Sequence, residues 1–333
     1  MLTAIKALLL HSIALRQEFL SPPHDKAFRL FNGFTEGVAD LTVDIFAATA
    51  VIHDYGRELR DIEQMKMVAD FLMSQMPFVT AVLLKRRNSQ SQIERNGIIL
   101  RGTKLAKIIC EHGVRYAVDL MLNRDNSFYA DTRNLRKFLL ENSLGKRVLN
   151  TFAYTGSLGV AAAAGGADFV LQTDLSDRFM EIARRSLTLN KSYFNRKNFI
   201  AGDFFPVVAR LKRVGELFDT VILDPPFFSK TGKGTVDQAL QPSALINKVR
   251  PLVADGGILV AVNNSLYLSG ADFMRGLEKL CDGHYLTLEK IIPVPEDFTG
   301  YGDCSDKFPV SPEPFNFPTK TVLLRVRRKV NLS

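Results

Sequence analysis

Cysteine is scarce in this chain, and long apolar runs and internal repeats are missing from it. The 333 residues include three cysteines, Cys110, Cys281 and Cys304, whose spacing matches neither a zinc site nor a disulfide framework. Cysteines this sparse fit a reducing cytoplasm, where they pack as small hydrophobic side chains. We therefore expect a cytoplasmic protein without a bound metal.

The apolar N-terminus lacks the features of a membrane segment. No stretch of the sequence approaches the roughly 18 uninterrupted apolar residues that a spanning helix needs. Within residues 1–20, His11 and Arg16 interrupt the apolar residues, unlike the core of a signal peptide. Apolar residues there recur at helical spacing, so residues 1–25 are predicted to form an amphipathic helix, and no membrane partner is expected.

The charge balance points to an anionic partner. Lysine and arginine number 43, against 35 aspartate and glutamate residues, which gives a net charge of +8. A basic excess of this kind favours nucleic acid as the first candidate. With 333 residues, 46% of them hydrophobic, the chain is long enough for a globular protein of two domains.

An acidic, proline-rich turn follows a short apolar strand in the second half of the chain. Residues 221–223 are predicted to form a buried parallel strand, and the sequence Asp-Pro-Pro-Phe-Phe follows at 224–228. The two prolines force the chain out of the sheet as a stiff, extended turn. Ligands of open α/β sheets bind at the carboxyl ends of the strands. A carboxylate beside stacking rings at that place favours a nucleobase as the ligand.

A second turn indicates a ligand that carries a nucleoside. Residues 146–150 are predicted to be a strand, followed by a turn and helix in which Gly156 and Gly159 allow close backbone approach. Tyr154 stands where G-x-G-x-x-G would place a glycine, so the turn is a poor cradle for pyrophosphate. Asp174 ends the next predicted strand, and an acid at that position suits ribose hydroxyls.

The alternation of elements from about residue 126 onward predicts the fold class. Helices are predicted at 132–143, 157–164, 177–190, 205–213, 238–253 and 270–281. Strands are predicted at 147–150, 169–173, 198–201, 219–223, 257–263, 285–292 and 320–327. This pattern is typical of an α/β fold with a doubly wound, mostly parallel sheet, in which the last two strands form an antiparallel edge.

The region before this sheet is predicted to be a small α+β domain. Its boundaries are expected at 26–125, with the larger domain at 126–333, and it is a candidate for positioning RNA or another substrate. Predicted strands lie at 27–31, 41–46, 48–53 and 80–84, a helix at 57–76, a hairpin at 108–118 and a basic, mobile loop at 85–88. In the larger domain, the proline- and phenylalanine-rich segment 293–318 is predicted to be an ordered loop near the active face.

Taken together, these motifs resemble class I S-adenosylmethionine-dependent methyltransferases. More narrowly, they are similar to the bacterial large-subunit rRNA base methyltransferases, which place a small α+β domain before a Rossmann-like catalytic domain. The resemblance covers about residues 26–328 and depends on Phe28–Gly33, Asn126–Arg133, Asn150–Gly156, Asp174, Asp203 and Asp224–Phe227. It implies S-adenosyl-L-methionine as the cofactor and RNA, large-subunit rRNA first, as the partner.

The resemblance also implies roles for individual residues. Asp174 would take the ribose hydroxyls, and Asp203 the adenine amino group, with Phe204 against the ring. The full set of implied cofactor-binding residues is Phe128, Asp131, Arg133, Asn150, Phe152, Ala153, Tyr154, Thr155, Gly156, Asp174, Leu175, Asp203, Phe204 and Asp224. The expected catalytic residues, which would hold the base and stack on it, are Asp224, Pro225, Pro226, Phe227 and Asn263.

The chemistry of the bases limits which atom can accept the methyl group. Carbon 5 of a pyrimidine needs a nucleophile such as cysteine, and neither predicted strand end, near 224 or near 263, carries one. We therefore expect transfer to a base nitrogen by direct in-line displacement. Residues 224–230 and the pair Asn263-Asn264 resemble the guanine-N7 branch of the rRNA enzymes, and this resemblance implies guanine N7 as the first candidate. The alternatives are a cytosine-C5 enzyme that uses Cys304 and a non-catalytic RNA-binding protein that retains the fold. A nicotinamide-dependent dehydrogenase is a further alternative, which the crowded turn at Tyr154 opposes.

Overall fold

The computed structural model describes residues 2–301 and 308–328, which form two compact units. The first unit comprises residues 2–131 together with 295–301, and the second comprises 132–294 together with 308–328. The N-terminal helix and residues 126–131 therefore belong to the first unit.

The described residues form eleven helices and sixteen strands. The helices are α1 Leu2–Leu15, α2 Gly33–Glu36, α3 Ile62–Gln75, α4 Gln92–Asn96, α5 Arg133–Asn142, α6 Ser157–Ala164, α7 Asp177–Leu189, α8 Phe204–Arg213, α9 Pro242–Val249, α10 Gly270–Cys281 and α11 Glu296–Thr299. The strands are β1 Ala27–Asn32, β2 Leu41–Phe46, β3 Thr49–Asp54, β4 Ala81–Arg86, β5 Ile98–Arg101, β6 Ile108–Glu111, β7 Val114–Ala117, β8 Arg147–Thr151, β9 Phe169–Asp174, β10 Phe199–Ala201, β11 Phe218–Leu223, β12 Phe228–Thr231, β13 Gly234–Asp237, β14 Val253–Asn263, β15 Leu286–Ile292 and β16 Lys320–Val326.

The first unit is built on a five-stranded sheet in the order β1-β2-β3-β4-β5. Its neighbouring strands are antiparallel except for β3 and β4, which are parallel and are joined by α3. Apolar residues at helical spacing, Ile5 and Leu9 on α1 and Met65 and Leu72 on α3, are buried in one core with this sheet. The predicted α+β character of this region is confirmed.

The second unit contains the seven-stranded sheet β10-β9-β8-β11-β14-β16-β15. Strands β8 to β11 and β14 pair in parallel, and β16 is antiparallel to both of its neighbours. The predicted mixed sheet is confirmed. We call the side where β8, β9, β10, β11 and β14 end the carboxyl edge.

Two separate cores cover the faces of the central strands, as expected of a doubly wound sheet. Val221 and Leu223 face the core that includes residues of α8 and α9, whereas Ile222 faces the core that includes residues of α5 and α6. Alternate residues of a strand point to opposite faces, so an unbroken apolar run can be buried on both sides. Leu223 is the register partner of Thr151 on β8 and of Ala261 on β14. The turns that leave β8 and β11 therefore start side by side.

Two sequence predictions about local structure are wrong. Residues 85–88 were expected to be a basic, mobile loop, but Lys85 and Arg86 complete β4, and Lys85 is fully buried. The helix expected at 238–253 is limited to α9, because Pro242 begins it and the chain passes through Pro251 into β14. The hairpin β12–β13, which precedes α9, was not predicted.

The described parts of the proline-rich segment are packed, as its aromatic content predicted. Within the first unit, Asp297 Oδ2 accepts the Arg29 N–H over 2.8 Å, and the Arg29 guanidinium lies 4.5 Å from the Phe298 ring centroid. Within the second unit, Phe315 is buried against Phe273, with ring centroids 6.0 Å apart. Cys304 lies outside the described residues.

Candidate active site

The turn after β8 has an unusual backbone. Phe152 and Tyr154 both have φ of +52°, and Gly156 has φ of +77°. Left-handed backbone at a non-glycine residue costs about 1–3 kcal/mol, and it persists where surrounding structure holds it, often at ligand sites. Here Ala153 N–H donates to the Thr173 carbonyl over 2.9 Å, and Gly156 N–H donates to the Ala153 carbonyl over 2.7 Å. The turn is therefore fixed in a strained shape by the sheet beneath it.

Gly156 and Gly159 are required because Gln172 lies directly behind them. A β-carbon at Gly156 would lie 2.6 Å from Gln172 Oε1 and 2.4 Å from Ala183 Cβ, and one at Gly159 would lie 2.6 Å from Gln172 Oε1. Gln172 is 1% exposed on β9. Sequence reasoning missed Gln172, because a single polar residue inside a strand carries no local signal of a close contact.

Asp174 ends β9 beside this turn. Its Oδ2 accepts the Tyr154 N–H over 2.8 Å, and its Oδ1 accepts the Ser176 N–H over 3.0 Å. Burial raises the pKa of the Asp174 carboxyl above its usual value, in opposition to these backbone hydrogen bonds. Each carboxylate oxygen has capacity for a further donor. The adjoining Leu175 side chain is 68% exposed and offers apolar surface next to the carboxylate.

Asp203 is the N-cap residue of α8 and follows β10 by two residues. Its Oδ1 accepts a backbone N–H of the first helical turn over 2.9 Å. The preceding Gly202 N–H donates to the Asp174 carbonyl over 2.8 Å, which joins the two acidic strand ends. Phe204 is buried, and its ring stacks on the half-buried ring of Phe152 with centroids 4.4 Å apart. Phe152 thus supplies the more accessible of the two rings.

Two carboxylates, Asp174 and Asp203, and two buried amides, Asn150 and Gln172, lie at this part of the carboxyl edge. Asn150 Nδ2 donates to Gln172 Oε1 over 3.2 Å, which leaves the buried acceptor Asn150 Oδ1 and the buried donor Gln172 Nε2 without hydrogen-bond partners among the described residues. Together with the carboxylates of Asp174 and Asp203, this oxygen suits hydroxyl and amino donors and a positive charge. The two negatively charged carboxylates repel phosphate. The residues therefore fit S-adenosylmethionine, which has a ribose, an adenine amino group, an ammonium and a sulfonium but no phosphate.

The turn after β11 presents a carboxylate and a ring. Asp224 is half-buried, Pro225 is buried, and Pro226 is exposed. Phe227 is 41% exposed. The acid and the ring therefore remain accessible, while one proline fixes the turn to the protein.

Gln238 holds this turn and the turn after β14 in one network. Its Nε2 donates to the Pro225 carbonyl, and its Oε1 accepts the Asn264 N–H over 3.0 Å. Its backbone N–H donates to the Phe227 carbonyl over 3.1 Å. Gln238 is 1% exposed, and sequence reasoning missed it because it was assigned to a long helix.

Asn263 faces the interior of the same network. Its side chain is 1% exposed, its Nδ2 donates to the Gln238 carbonyl over 2.8 Å, and its Oδ1 accepts the Ser265 N–H over 3.0 Å. Lys320 Nζ donates to the Ser265 carbonyl over 2.9 Å from β16. The Asn263 amide therefore shapes the turn after β14 through contacts within the protein.

The remaining predicted cofactor residues are divided between the two units. Phe128 and Asp131 belong to the first unit, and Arg133 begins α5 in the second. Phe128 is buried against Tyr116, with ring centroids 5.1 Å apart, whereas Asp131 and Arg133 are half-buried. Thr155, in the turn after β8, is buried within the second unit.

Buried basic side chains of the first unit fix the segment that leads to α5. Lys85 Nζ donates to the carbonyls of Asn123 and Asp125 over 2.8 and 2.7 Å. His53 Nε2 lies 2.9 Å from the Asn126 amide. Burial lowers the pKa of Lys85 to about 7 and the pKa of His53 to about 4. The sequence predicted a basic, mobile loop at 85–88, so the buried contacts of Lys85 were missed.

Of the two described cysteines, one lies in the first unit and the other lies away from the carboxyl edge of the second unit. Cys110 lies on β6 of the first unit. Cys281 ends α10, which runs back toward the amino ends of the parallel strands. Burial raises the pKa of both thiols, which disfavours the reactive thiolate.

Comparison with known families agrees with this geometry. Residues 39–297 match the family model of the S-adenosylmethionine-dependent methyltransferases. The chain belongs to the S-adenosylmethionine-dependent methyltransferase family. It is an enzyme of that family, and its cofactor is S-adenosylmethionine.

Among its relatives, this methyltransferase is 30% identical to YwbD of Bacillus subtilis, which is provisionally named as a ribosomal RNA large subunit methyltransferase. That match spans 278 residues, which is 82% of this chain and 70% of the relative. This methyltransferase is also 31% identical, over 257 residues, to the ribosomal RNA large subunit methyltransferase I of Aeromonas salmonicida. This second match covers 74% of the chain but 63% of the relative, so the methyltransferase spans less than two thirds of that protein's length.

Solved structures share the fold of this methyltransferase. The crystal structure of SMU.776 complexed with SAH superposes with a TM-score of 0.83 at 23% identity, covering 98% of this chain and 82% of the other. In the part of the chain that the structure describes, no helix has the length and apolarity needed to cross a membrane. The described residues likewise contain no group of three or more His, Cys, Asp or Glu side chains that could hold a metal ion.

Proposed function

We propose that this methyltransferase modifies a nucleobase nitrogen in large-subunit rRNA, with guanine N7 as the first candidate atom. The observation that carries the proposal is the register of two strands at the carboxyl edge. Thr151 and Leu223 are paired, so the strained, acceptor-rich turn after β8 starts beside the Asp-Pro-Pro-Phe turn after β11. This adjacency supports a cofactor site in the first turn and a site for the target base in the second.

The turn after β8 and the two neighbouring strand ends are proposed to hold the cofactor. The carboxylate of Asp174 would accept from the ribose hydroxyls, and the carboxylate of Asp203 would accept from the adenine amino group. Phe152 and Leu175 would cover the adenine ring with apolar surface. S-adenosylmethionine supplies an electrophilic methyl group on a positively charged sulfur.

The turn after β11 is proposed to hold the target base. The Asp224 carboxylate would accept hydrogen bonds from the amino edge of guanine, and the exposed ring of Phe227 would stack on its face. Guanine N7 has a lone pair in the plane of the ring, so it needs no proton removal before it accepts a methyl group. The residues would thus act by orientation and electrostatics, without a covalent bond to the base. Asn263 and Gln238 would act as positioning residues, because the hydrogen bonds of their amides, within the described part of the chain, join the turns after β11 and β14.

Two observations support RNA, and rRNA in particular, as the substrate. The net charge of +8 favours a polyanion. Relatives at 30% and 31% identity are named as ribosomal RNA large subunit methyltransferases.

The direct test is transfer of a labelled methyl group to RNA. Total RNA from a strain that lacks the gene would be incubated with the protein and labelled S-adenosylmethionine, then digested and analysed by nucleoside mass spectrometry. Label in 7-methylguanosine of large-subunit rRNA is the expected result. Label found only on a pyrimidine carbon, or the absence of label from all RNA, would overturn the proposal.

A further inference from the structure

An exposed aromatic surface extends from the Asp-Pro-Pro-Phe turn over the hairpin β12–β13 of the second unit. Phe228 is 55% exposed, and Tyr267, in the turn after β14, is 71% exposed. The ring of Phe227 bridges toward Tyr267, with centroids 5.9 Å apart and planes at 54°. Three large rings at one edge of the sheet are therefore accessible, which is unusual for aromatic residues that serve only the core.

The hairpin has one packed face and one free face. On the packed face, Val236 is 2% exposed, and a β-carbon at Gly234 would lie 2.4 Å from the Phe205 ring. Alternation along β12 places Phe228 and Lys230 together on the other face, about 7 Å apart along the strand. The packed face fixes the hairpin, and the free face presents a ring beside a cation.

The charge of the hairpin suits a polyanion. Residues 228–237 contain two lysines, Lys230 and Lys233, both exposed, and one acid, Asp237. The Asp237 carboxylate is already used, because its Oδ1 accepts the N–H groups of Ala239 and Leu240 over 3.0 and 2.9 Å. Exposed rings interleaved with lysines are the arrangement that binds single-stranded nucleic acid, since bases stack on rings and phosphates contact cations.

The turn that carries Tyr267 is rigid enough to serve as a platform. Tyr267 N–H donates to Ser265 Oγ over 3.2 Å, and the Ser265 carbonyl accepts from Lys320 Nζ over 2.9 Å. Ser265 itself is fully buried. A ring on a fixed turn loses little freedom when a base stacks on it.

We propose that Phe228, Tyr267, Lys230 and Lys233 bind the single-stranded RNA nucleotides that flank the target base. The inference rests on the proposed function and specifies its substrate: an unpaired loop or a strand opened beside the target, whose flanking bases stack on the rings while their phosphates contact the lysines. We call these four residues the flanking-nucleotide surface.

The test compares this surface with a matched surface at the other edge of the same sheet. Tyr267→Ala, Phe228→Ala and the double variant Lys230→Ala/Lys233→Ala are the test proteins. The controls are Tyr193→Ala and Lys191→Ala/Lys197→Ala, in the loop before β10, where Tyr193 is 93% exposed and both lysines are exposed. Affinity for a short fluorescein-labelled single-stranded RNA is measured by anisotropy over a range of salt. Affinity for S-adenosylhomocysteine, measured by calorimetry, checks that each variant folds.

Each aromatic test variant is expected to bind the RNA about 5- to 150-fold more weakly, with unchanged affinity for S-adenosylhomocysteine. The double lysine variant is expected to lower the slope of log affinity against log salt by about 1.4. Control variants keep the wild-type affinity and slope. The inference fails if Tyr267→Ala and Phe228→Ala bind RNA as tightly as the controls do while the wild type still methylates RNA. The proposed function would then stand, and the exposed rings would be assigned to binding of a protein partner. If the wild type transfers no methyl group to RNA, both are overturned.

Discussion

A β-carbon added at Gly156 would lie only 2.6 Å from Gln172 Oε1. A glycine is therefore required at this place in the turn after β8 by the sheet behind it, in addition to its left-handed φ of +77°. Because residue 156 has no side chain, the strained turn can pack closely against Gln172 on β9.

Replacement of that glycine tests whether the shape of the turn matters. Gly156→Ala is expected to destabilise the second unit by about 1–3 kcal/mol, because the added carbon overpacks the contact with Gln172 and Ala183. Affinity for S-adenosylhomocysteine is expected to fall together with the stability. Chemical denaturation measures the stability, and calorimetry measures the affinity. Gly232→Ala is the control, since a β-carbon there meets nothing within 4 Å. Equal behaviour of the two variants would contradict the packing argument.

The Asp174 carboxylate is the expected ribose ligand. Asp174→Asn is predicted to weaken binding of S-adenosylhomocysteine by about 1.5–3 kcal/mol, the usual contribution of a hydrogen bond to a charged group. Asp177→Asn, which removes an exposed carboxylate paired with Arg184, should leave binding unchanged.

The raised pKa of Asp174 adds a pH dependence to this binding. The carboxylate form accepts both ribose donors, so wild-type affinity is expected to decrease as the pH falls through that raised pKa. Calorimetry across the acidic range measures this decrease. A profile that matches that of Asp174→Asn would show that another group binds the ribose.

Gln238 is expected to position the base-holding turn without contact to the cofactor. Gln238→Ala leaves the Pro225 carbonyl and the Asn264 N–H without their partner, a loss of about 1–3 kcal/mol in stability. We expect kcat for RNA methylation to fall while affinity for S-adenosylhomocysteine is retained. Gln241→Ala, at an exposed position before α9, serves as the control. A loss of cofactor affinity equal to the loss of kcat would contradict a positioning role.

His53 makes the stability of the first unit depend on pH. Burial lowers the pKa of His53 from 6.5 to about 4, although Asp44 opposes this shift and Arg87 and Lys85 add to it. Between pH 6.5 and 4 the unfolded chain binds a proton that folded His53 does not, so stability is lost as the pH falls through this window. The loss corresponds to about 3 kcal/mol.

Chemical denaturation at both ends of that window measures the effect. His53→Gln cannot take up this proton, so its free energy of unfolding should change less with pH than that of the wild type. His11→Gln, at an exposed position on α1, should keep the wild-type dependence. A His53→Gln protein with the full wild-type loss would show that another group is responsible.

The sequence predicts this fold well where the signal is local. Val221–Leu223 is apolar on both faces because both faces are buried, and the Asp-Pro-Pro turn marks where the strand stops. Such features can be interpreted from the residues next to them in the sequence. The same is true of the acid that ends β9, Asp174.

Features that depend on distant residues were not predictable in this way. Lys85 has the sequence context of a basic turn, yet the carbonyls of Asn123 and Asp125, about forty residues later, satisfy its ammonium group inside the protein. Gln238 has no motif, and its importance arises from two turns that meet only in the folded sheet. Buried polar contacts of this kind are set by tertiary structure.

The central claim is that the methyl group passes directly to a lone pair of the base, with no enzyme–base covalent bond. The measurement that tests it most directly is nucleoside mass spectrometry of RNA methylated by the wild type and by Cys304→Ser. The account predicts 7-methylguanosine from both proteins at similar rates. Production of 5-methylcytidine by the wild type, abolished in Cys304→Ser, would contradict it.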